Sequence, residues 1–148
     1  LATYPLTIDD SGGQSLDSIA SEAERLRDQH GGLDLIVVDY IQIVKGRRDR
    51  NDTREMEVAN ISGGLKQLAK SMGCPVMTGT QLNKANSPRE SEAIIQDADV
   101  LLFIHHDEDA HGKKDDSAIH VGKMRNGQRG TVLPLVLDGS FQRFVTKF

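Results

Sequence analysis

Residues 35–40 read LIVVDY, an apolar run that closes on Asp39. Consecutive apolar residues ending in a carboxylate predict a buried parallel strand that delivers an acid to its carboxyl end, the side on which open α/β sheets bind ligands. That is the arrangement of a Walker B acid. Such an acid holds Mg²⁺ on a nucleotide's phosphates, directly or through water, because Mg²⁺ is a hard ion that takes oxygen ligands and keeps several waters. A plainer account competes with it: any α/β protein can end a strand in Asp as a turn residue or helix cap.

On the amino-terminal side, Ser15 is placed to cap a helix whose apolar positions Leu16, Ile19, Ala23 and Leu26 fall at helical spacing, and Gly31 and Gly32 supply its stop. On the other side, a polar and basic loop, KGRRDRN at 45–51, leads to Asp52 and Glu55, a capping box for a second helix. Val58, Ile61, Leu65, Leu68 and Met72 recur three and four apart and give that helix one buried stripe, interrupted by Gly63 and Gly64, where a bend or close packing is expected. Residues 75–78 lead into a second strand that ends near Thr80 and Gln81, and Ser87, Pro88 and Glu90 form another helix-start signature. VLLFI at 100–104 predicts a third buried strand. The order helix, strand, helix, strand, short helix, strand implies an α/β fold with a mostly parallel sheet flanked by helices. After residue 116 the pattern changes. SAIHVGK, TVLPLVL and SFQRFVT are strand-like runs separated by Asn126-Gly127 and Asp138-Gly139, which predicts antiparallel hairpins at the carboxyl end, with Pro134 at an edge or bulge.

The 148 residues fit one domain, and 37% hydrophobic with 27% charged residues suits a soluble globular chain. No apolar run is long enough to cross a bilayer, so no membrane role is indicated. Eighteen Lys and Arg against 22 Asp and Glu leave a formal charge of −4. Nucleic-acid contact must then come from local clusters, which argues against a free-standing DNA-binding domain. The single Cys74 excludes an internal disulfide and suits a small core residue in a reducing cytoplasm. LATYPLTIDD at the start has no signal-like character and no initiator Met, so the chain is expected to be processed or cut from something longer.

Asp39 and Gln81 close two successive apolar strands, so in a parallel sheet their side chains can approach one ligand. A neutral amide there can accept from an attacking water and donate to a γ-phosphate, although Gln at a strand end is also an ordinary loop residue. Lys123 and Arg125 lie two apart before Asn126-Gly127 and predict a cationic tip without an obvious partner in its own chain. A fixed fork beside a point charge suits a terminal phosphate, possessed by a neighbouring subunit in one reading; a solvated hairpin tip is the other. Asp97 and Asp99 have the DxD spacing of metal-dependent Toprim enzymes but precede a strand, so they read as turn residues. HHDEDAH at 105–111 lacks regular ligand spacing and reads as a polar turn, not a zinc site. Arg47, Arg48 and Arg50, with Lys84 and Arg89, could track a phosphate backbone or be solvated loop charge. With two Tyr, four Phe and no Trp, base stacking would be sparse. GxxxxGK[ST] occurs nowhere, since the Gly122-Lys123 pair is followed by Met124.

Taken together, LIVVDYIQIV, GLKQLAKSMGCPVMTGTQLNK, RESEAIIQDADVLLFIHHDE and GKMRNGQRGTVLPLVLDGSFQRF resemble, in order and spacing, the carboxyl-terminal half of the DnaB-family replicative helicase motor. The resemblance covers nearly the whole chain and implies that residues 1–148 form a partial RecA-like domain. It further implies a hexameric ring that hydrolyses ATP with Mg²⁺ between subunits and moves 5′ to 3′ on single-stranded DNA, with a primase or a helicase loader as candidate partners. By position it makes Asp39 the Walker B acid and Mg²⁺ ligand and Gln81 the γ-phosphate-sensing glutamine. Lys123 and Arg125 become the lysine and arginine finger that reach an adjacent subunit's nucleotide. Two departures stand out. The stretch between the QLN and RES elements is shorter than the family's basic loop, and the P-loop and catalytic glutamate have no counterpart within these residues, so the segment alone should not hydrolyse ATP. The alternatives are a catalytically inert RecA-like assembly or single-stranded-DNA-binding module, and a filament-forming recombinase relative of RecA.

Overall fold

The computed structural model describes residues 5–46, 52–81, 92–105, 117–138, 140–141 and 143–146. The chain divides into two compact units, Leu1–Asp97 and Ala98–Phe148. The first contains α1 (Leu16–His30), β1 (Ile36–Val38), a 3-10 turn (Ile41–Ile43), α2 (Arg54–Met72), β2 (Val76–Thr78) and α3 (Glu92–Asp97). The second contains β3 (Val100–His105), β4 (Ser117–Met124), β5 (Val132–Asp138) and β6 (Arg143–Thr146). The α/β fold class follows: a parallel pair with helices in one unit, an antiparallel ladder in the other.

In the first unit α2 is the organiser. Its stripe Val58, Ile61, Leu65, Leu68 and Met72 is buried as the spacing required, and Ala23, Ile41, Val44, Cys74 and Ile94 join it in the core. Each buried Val, Leu, Ile or Met side chain among them contributes roughly 1.5–3 kcal/mol by leaving water. Ser15 caps α1 by accepting from the Ser18 N–H, and Gly31 ends it in the left-handed region at φ 76°. The cap of α2 differs from the expected Asp52–Glu55 box. Thr53 is the N-cap, its hydroxyl accepting from the Met56 N–H at 3.3 Å, because that side chain sits one residue closer to the first helical turn. Gly64 explains the glycine pair: a Cβ there would lie 2.0 Å from Leu16 Cδ2, so its role is close packing of α1 on α2.

β1 and β2 pair in parallel, Ile36 with Val76, Val37 with Met77 and Val38 with Thr78. Ile36, Val38 and Val76 pack on the core, whereas Val37 is 62% and Met77 58% exposed. Burial on both faces was expected. The pleat sends every second residue to the opposite face, which remains exposed in the described residues.

In the second unit the strand order is β3-β4-β5-β6, all neighbours antiparallel. β3 alternates exposed and half-buried, so it too is covered on one face only, and its described ladder is antiparallel. A register shift occurs where Leu101 faces Lys123 but Leu102 faces Val121, which makes Gly122 the extra residue of a bulge. Phe103 lies across it: a Cβ at Gly122 would come 2.3 Å from Phe103 Cε2. β4 and β5 pair from Ser117–Leu135 to His120–Val132, with Val121 bonded to Thr131 and Gly130 just beyond. Asn126-Gly127 therefore lies inside a longer connection and is not the two-residue turn that the dipeptide suggested, because β4 continues with β3 as far as Met124. Pro134 faces Ala118, while pairing with β6 begins at Leu135 among the described residues, so the missing N–H breaks no described β6 contact.

Candidate functional site

The parallel register decides where Asp39 and Gln81 go. Val38 opposite Thr78 puts Asp39 level with Gly79 just past the carboxyl end of the strand pair, and Gln81 follows two residues after Gly79, since β2 ends at Thr78 and not near Thr80 and Gln81 as its apolar run suggested. Three hydrogen bonds hold these exits together. The Thr78 hydroxyl donates to the Val38 carbonyl at 2.8 Å, the Ile41 N–H to the Gly79 carbonyl at 3.1 Å, and the Gln42 amide to Thr80 Oγ1 at 2.9 Å. The chains run close here, since a Cβ at Gly79 would lie 3.6 Å from Tyr40 Cβ and 4.0 Å from Asp39 Oδ1. The Asp39–Tyr40 peptide is cis. Asp39 and Gln81 are both exposed.

In the other unit, Lys123 is half-buried opposite Leu101 near the end of β4, and Arg125 is exposed in the turn that follows. Arg125 does have a partner in its own chain, contrary to expectation. Its Nη1 lies 3.0 Å from Asp99 Oδ1, and its N–H donates to the Asp99 carbonyl at 2.8 Å. Asp99 is thus a turn residue that also fixes Arg125 at two points. With the paired side chains 54% and 53% exposed, the ion pair contributes about 0–1 kcal/mol, little enough for a phosphate to compete with.

The candidate DNA contacts Arg47, Arg48, Arg50, Lys84 and Arg89 lie outside the described residues, as does the 87–90 helix-start signature. Of HHDEDAH only His105 is described, and it packs against His120 with ring centroids 4.5 Å apart. Among the described residues no three His, Cys, Asp or Glu side chains gather as a metal cage. Mg²⁺ on a nucleotide needs no such cage: one carboxylate plus phosphate oxygens and water satisfies it, so the lone exposed Asp39 fits that use. A cleft of about 810 Å³ runs along β1 and reaches Asp39, but among the described residues its wall carries Asp9, Glu22 and Asp34 and no Lys or Arg, which suits packed polypeptide rather than a triphosphate.

Three residues near the strand exits escaped notice in the sequence. Gln42 joins Thr80 through its side chain, and its carbonyl accepts from Arg54 Nη2 at 2.6 Å. Arg54 Nη1 pairs with Glu57 at 2.8 Å, and Glu57, its side chain 11% exposed, accepts from the Gly46 N–H at 3.3 Å. A polar residue inside the apolar run YIQIV and an acid four residues before Ile61 on the buried stripe were the available signals.

A family model described as the DnaB-like helicase C terminal domain matches residues 1–146, spanning both compact units. The replicative DNA helicase DnaB of Haemophilus influenzae is 39% identical over 94% of this chain, and that of Pasteurella multocida 40% identical over 94%. The Bacillus subtilis replicative DNA helicase DnaC is 32% identical over 98% of the chain. The chain spans about a third of these relatives: 32% of the first two and 35% of the third. A solved DnaB-like replicative helicase, described with its interactions with primase, superposes with a TM-score of 0.84 and 25% identity over 96% of this chain and 37% of its own. A match over nearly the full chain, agreeing in sequence and in fold, establishes that the chain belongs to the DnaB-like helicase C-terminal domain family.

Proposed function

We propose that this chain is part of the motor of an ATP-dependent replicative DNA helicase, the part that supplies the Walker B acid, the γ-phosphate sensor and the residues reaching a neighbouring subunit. The observation that carries this reading is the exit of Asp39 and Gln81 from one parallel strand pair, held together by the Ile41–Gly79 and Gln42–Thr80 bonds. Asp39 would hold Mg²⁺, which when bound neutralises charge on the terminal phosphate oxygens. Gln81 orients the attacking water by accepting a hydrogen bond from it at the amide oxygen and steadies the γ-phosphate by donating from the amide nitrogen. Lys123 and Arg125 present cationic donors to the phosphates of an adjacent protomer, the Arg fork matching two oxygens at once. That division of labour requires subunits side by side, for which a hexameric ring around single-stranded DNA is the proposed assembly. Backbone contact by Arg47, Arg48, Arg50, Lys84 and Arg89 would be electrostatic and weaken with salt. Primase or a loader are the further partners proposed, by analogy with the helicase described with primase.

The rival reading is an inert RecA-like assembly module. ATPase assays separate the two. The chain by itself should show background turnover, whereas the helicase polypeptide containing it should hydrolyse ATP and lose turnover on Asp39→Asn or Gln81→Ala. A polypeptide whose turnover survives both substitutions would exclude the motor reading at these residues.

A further inference from the structure

We propose that Thr80, Gln42 and Arg54 are positioning residues that set the placement of Gln81 relative to Asp39. The inference rests on the sensor reading above but concerns side chains outside the set which that reading assigns to the nucleotide. Gln42 stands three residues beyond Asp39, and Thr80 immediately precedes Gln81. Their 2.9 Å bond spans 38 residues of sequence and is therefore a direct brace between the two strand exits. A hydroxyl can donate as well as accept, so the brace forms whichever end of the amide faces it.

Two features mark Gln42 as placed for that bond. It lies in an otherwise apolar turn between the buried Ile41 and the exposed Ile43, and its Oε1 is buried without a hydrogen-bond partner. An aliphatic side chain would avoid the unsatisfied oxygen, so packing does not account for an amide here. The support behind it is polar as well. Arg54 opens α2 and bridges the Gln42 carbonyl at 2.6 Å to Glu57 at 2.8 Å, two acceptors that a forked guanidinium can span. Glu57 in turn accepts from the Gly46 N–H, and a Cβ at Gly46 would come 2.7 Å from Glu57 Cγ, so the chain is pressed onto this carboxylate as it leaves the turn. The first turn of the helix with the most buried stripe thus anchors the brace, and through it the residue next to Gln81. Members of such a network act together, so removing any one should cost about as much as removing two.

The test uses the intact helicase polypeptide with Thr80→Val, Thr80→Ser, Gln42→Leu, the Thr80→Val/Gln42→Leu double variant and Arg54→Met, together with Gln81→Ala. Displacing a reacting group by about an ångström can cost roughly a hundredfold in rate. Thr80→Val and Gln42→Leu should each lower kcat about tenfold or more with KM for ATP within about twofold, and the double variant should be no worse. Thr80→Ser, which restores the hydroxyl, should recover the parental rate. Hydrogen exchange reads the brace without reference to catalysis: the Ile41 amide, bonded to the Gly79 carbonyl, should exchange faster in Thr80→Val and at the parental rate in Thr80→Ser. Should Arg54→Met fail to fold, the Thr80 pair still decides. Parental kcat in Thr80→Val, additive losses in the double variant, or unchanged Ile41 exchange would each overturn the proposal. Full turnover in Gln81→Ala would remove the sensor reading and this proposal with it, a result recognisable because Ile41 exchange would still respond to Thr80→Val.

Discussion

At Arg125 two anions compete for one guanidinium. Asp99 holds it from within the chain at 3.0 Å, and in the proposed assembly a neighbour's phosphate must take its place. The exposed pair is weak, so Asp99→Asn should change unfolding free energy by less than about 1 kcal/mol in chemical denaturation. Arg125→Ala in the intact helicase should cut turnover by roughly 10³ to 10⁵, the range for removing an arginine finger, while nucleotide binding measured by fluorescence titration stays near parental. Equal loss of binding and turnover would count against a finger. Cys74 gives a prediction with a definite sign. Burial pushes its thiol pKa up, with the nearby Asp34 carboxylate adding to the shift. The folded form therefore favours the neutral thiol, whose contribution to stability is full below the unfolded thiol's value of about 8.5 and is lost as pH rises beyond it. Thiol-reactive probes at neutral pH should label Cys74 slowly in the folded chain and quickly in denaturant. The positions of Asp39 and Gln81 beyond short apolar strands, and of Cys74 between a helix and a strand, were legible in the sequence because apolar patterning marks such boundaries. Asp99 with Arg125, and Gln42 with Thr80, were not, because such pairs exist only once distant strands are in register.

The same division holds for the elements. A period near 3.6 announced α2 and its stripe in full, and that stripe is where substitution should cost most. Ile61→Ala, at a position 1% exposed, should destabilise by about 2–5 kcal/mol. The two glycines of α2 should answer oppositely to the same change. Either Gly→Ala gains up to about 1 kcal/mol of helix propensity. At Gly63 a new Cβ meets, among the described residues, nothing nearer than Asp97 Oδ2 at 4.0 Å, so the gain should survive. At Gly64 it would lie 2.0 Å from Leu16 Cδ2, and overpacking of about 1–3 kcal/mol should outweigh the gain. Urea titration of both variants checks the contrast, and equal effects would mean that α1 does not press on Gly64. Strands gave less away. A short apolar run signals β structure but not whether both faces are covered, and Asn126-Gly127 signals a turn but not that a bulge at Gly122 has already changed the register before it.

Coverage is a property of the whole molecule, and here it is incomplete in each unit. Leu35, Val37 and Met77 are 49–62% exposed in the first, and Val100, Leu102 and Ile104 on alternate positions of β3 are 48–60% exposed in the second. Soluble proteins seldom leave apolar strand faces open unless something packs on them. Burying the exposed halves of six such side chains would be worth on the order of 5–10 kcal/mol, comparable with the whole stability of an ordinary domain. Relatives about three times as long have ample polypeptide to supply that cover, and the acidic, apolar cleft beside β1 suits packed chain. The chain by itself should therefore melt at low temperature over a broad range, bind an apolar dye such as anilinonaphthalene sulfonate, and self-associate in sedimentation. The intact helicase polypeptide should melt cooperatively, bind little dye and, with nucleotide, sediment as a closed oligomer. Since about 1 kcal/mol corresponds to roughly 2–8 °C in melting temperature for domains of this general size, a difference of 10 °C or more is expected. A sharp, dye-free, monomeric melt of the isolated chain would show that these faces need no cover. An intact polypeptide that stayed monomeric with nucleotide would leave Lys123 and Arg125 with no neighbour to reach.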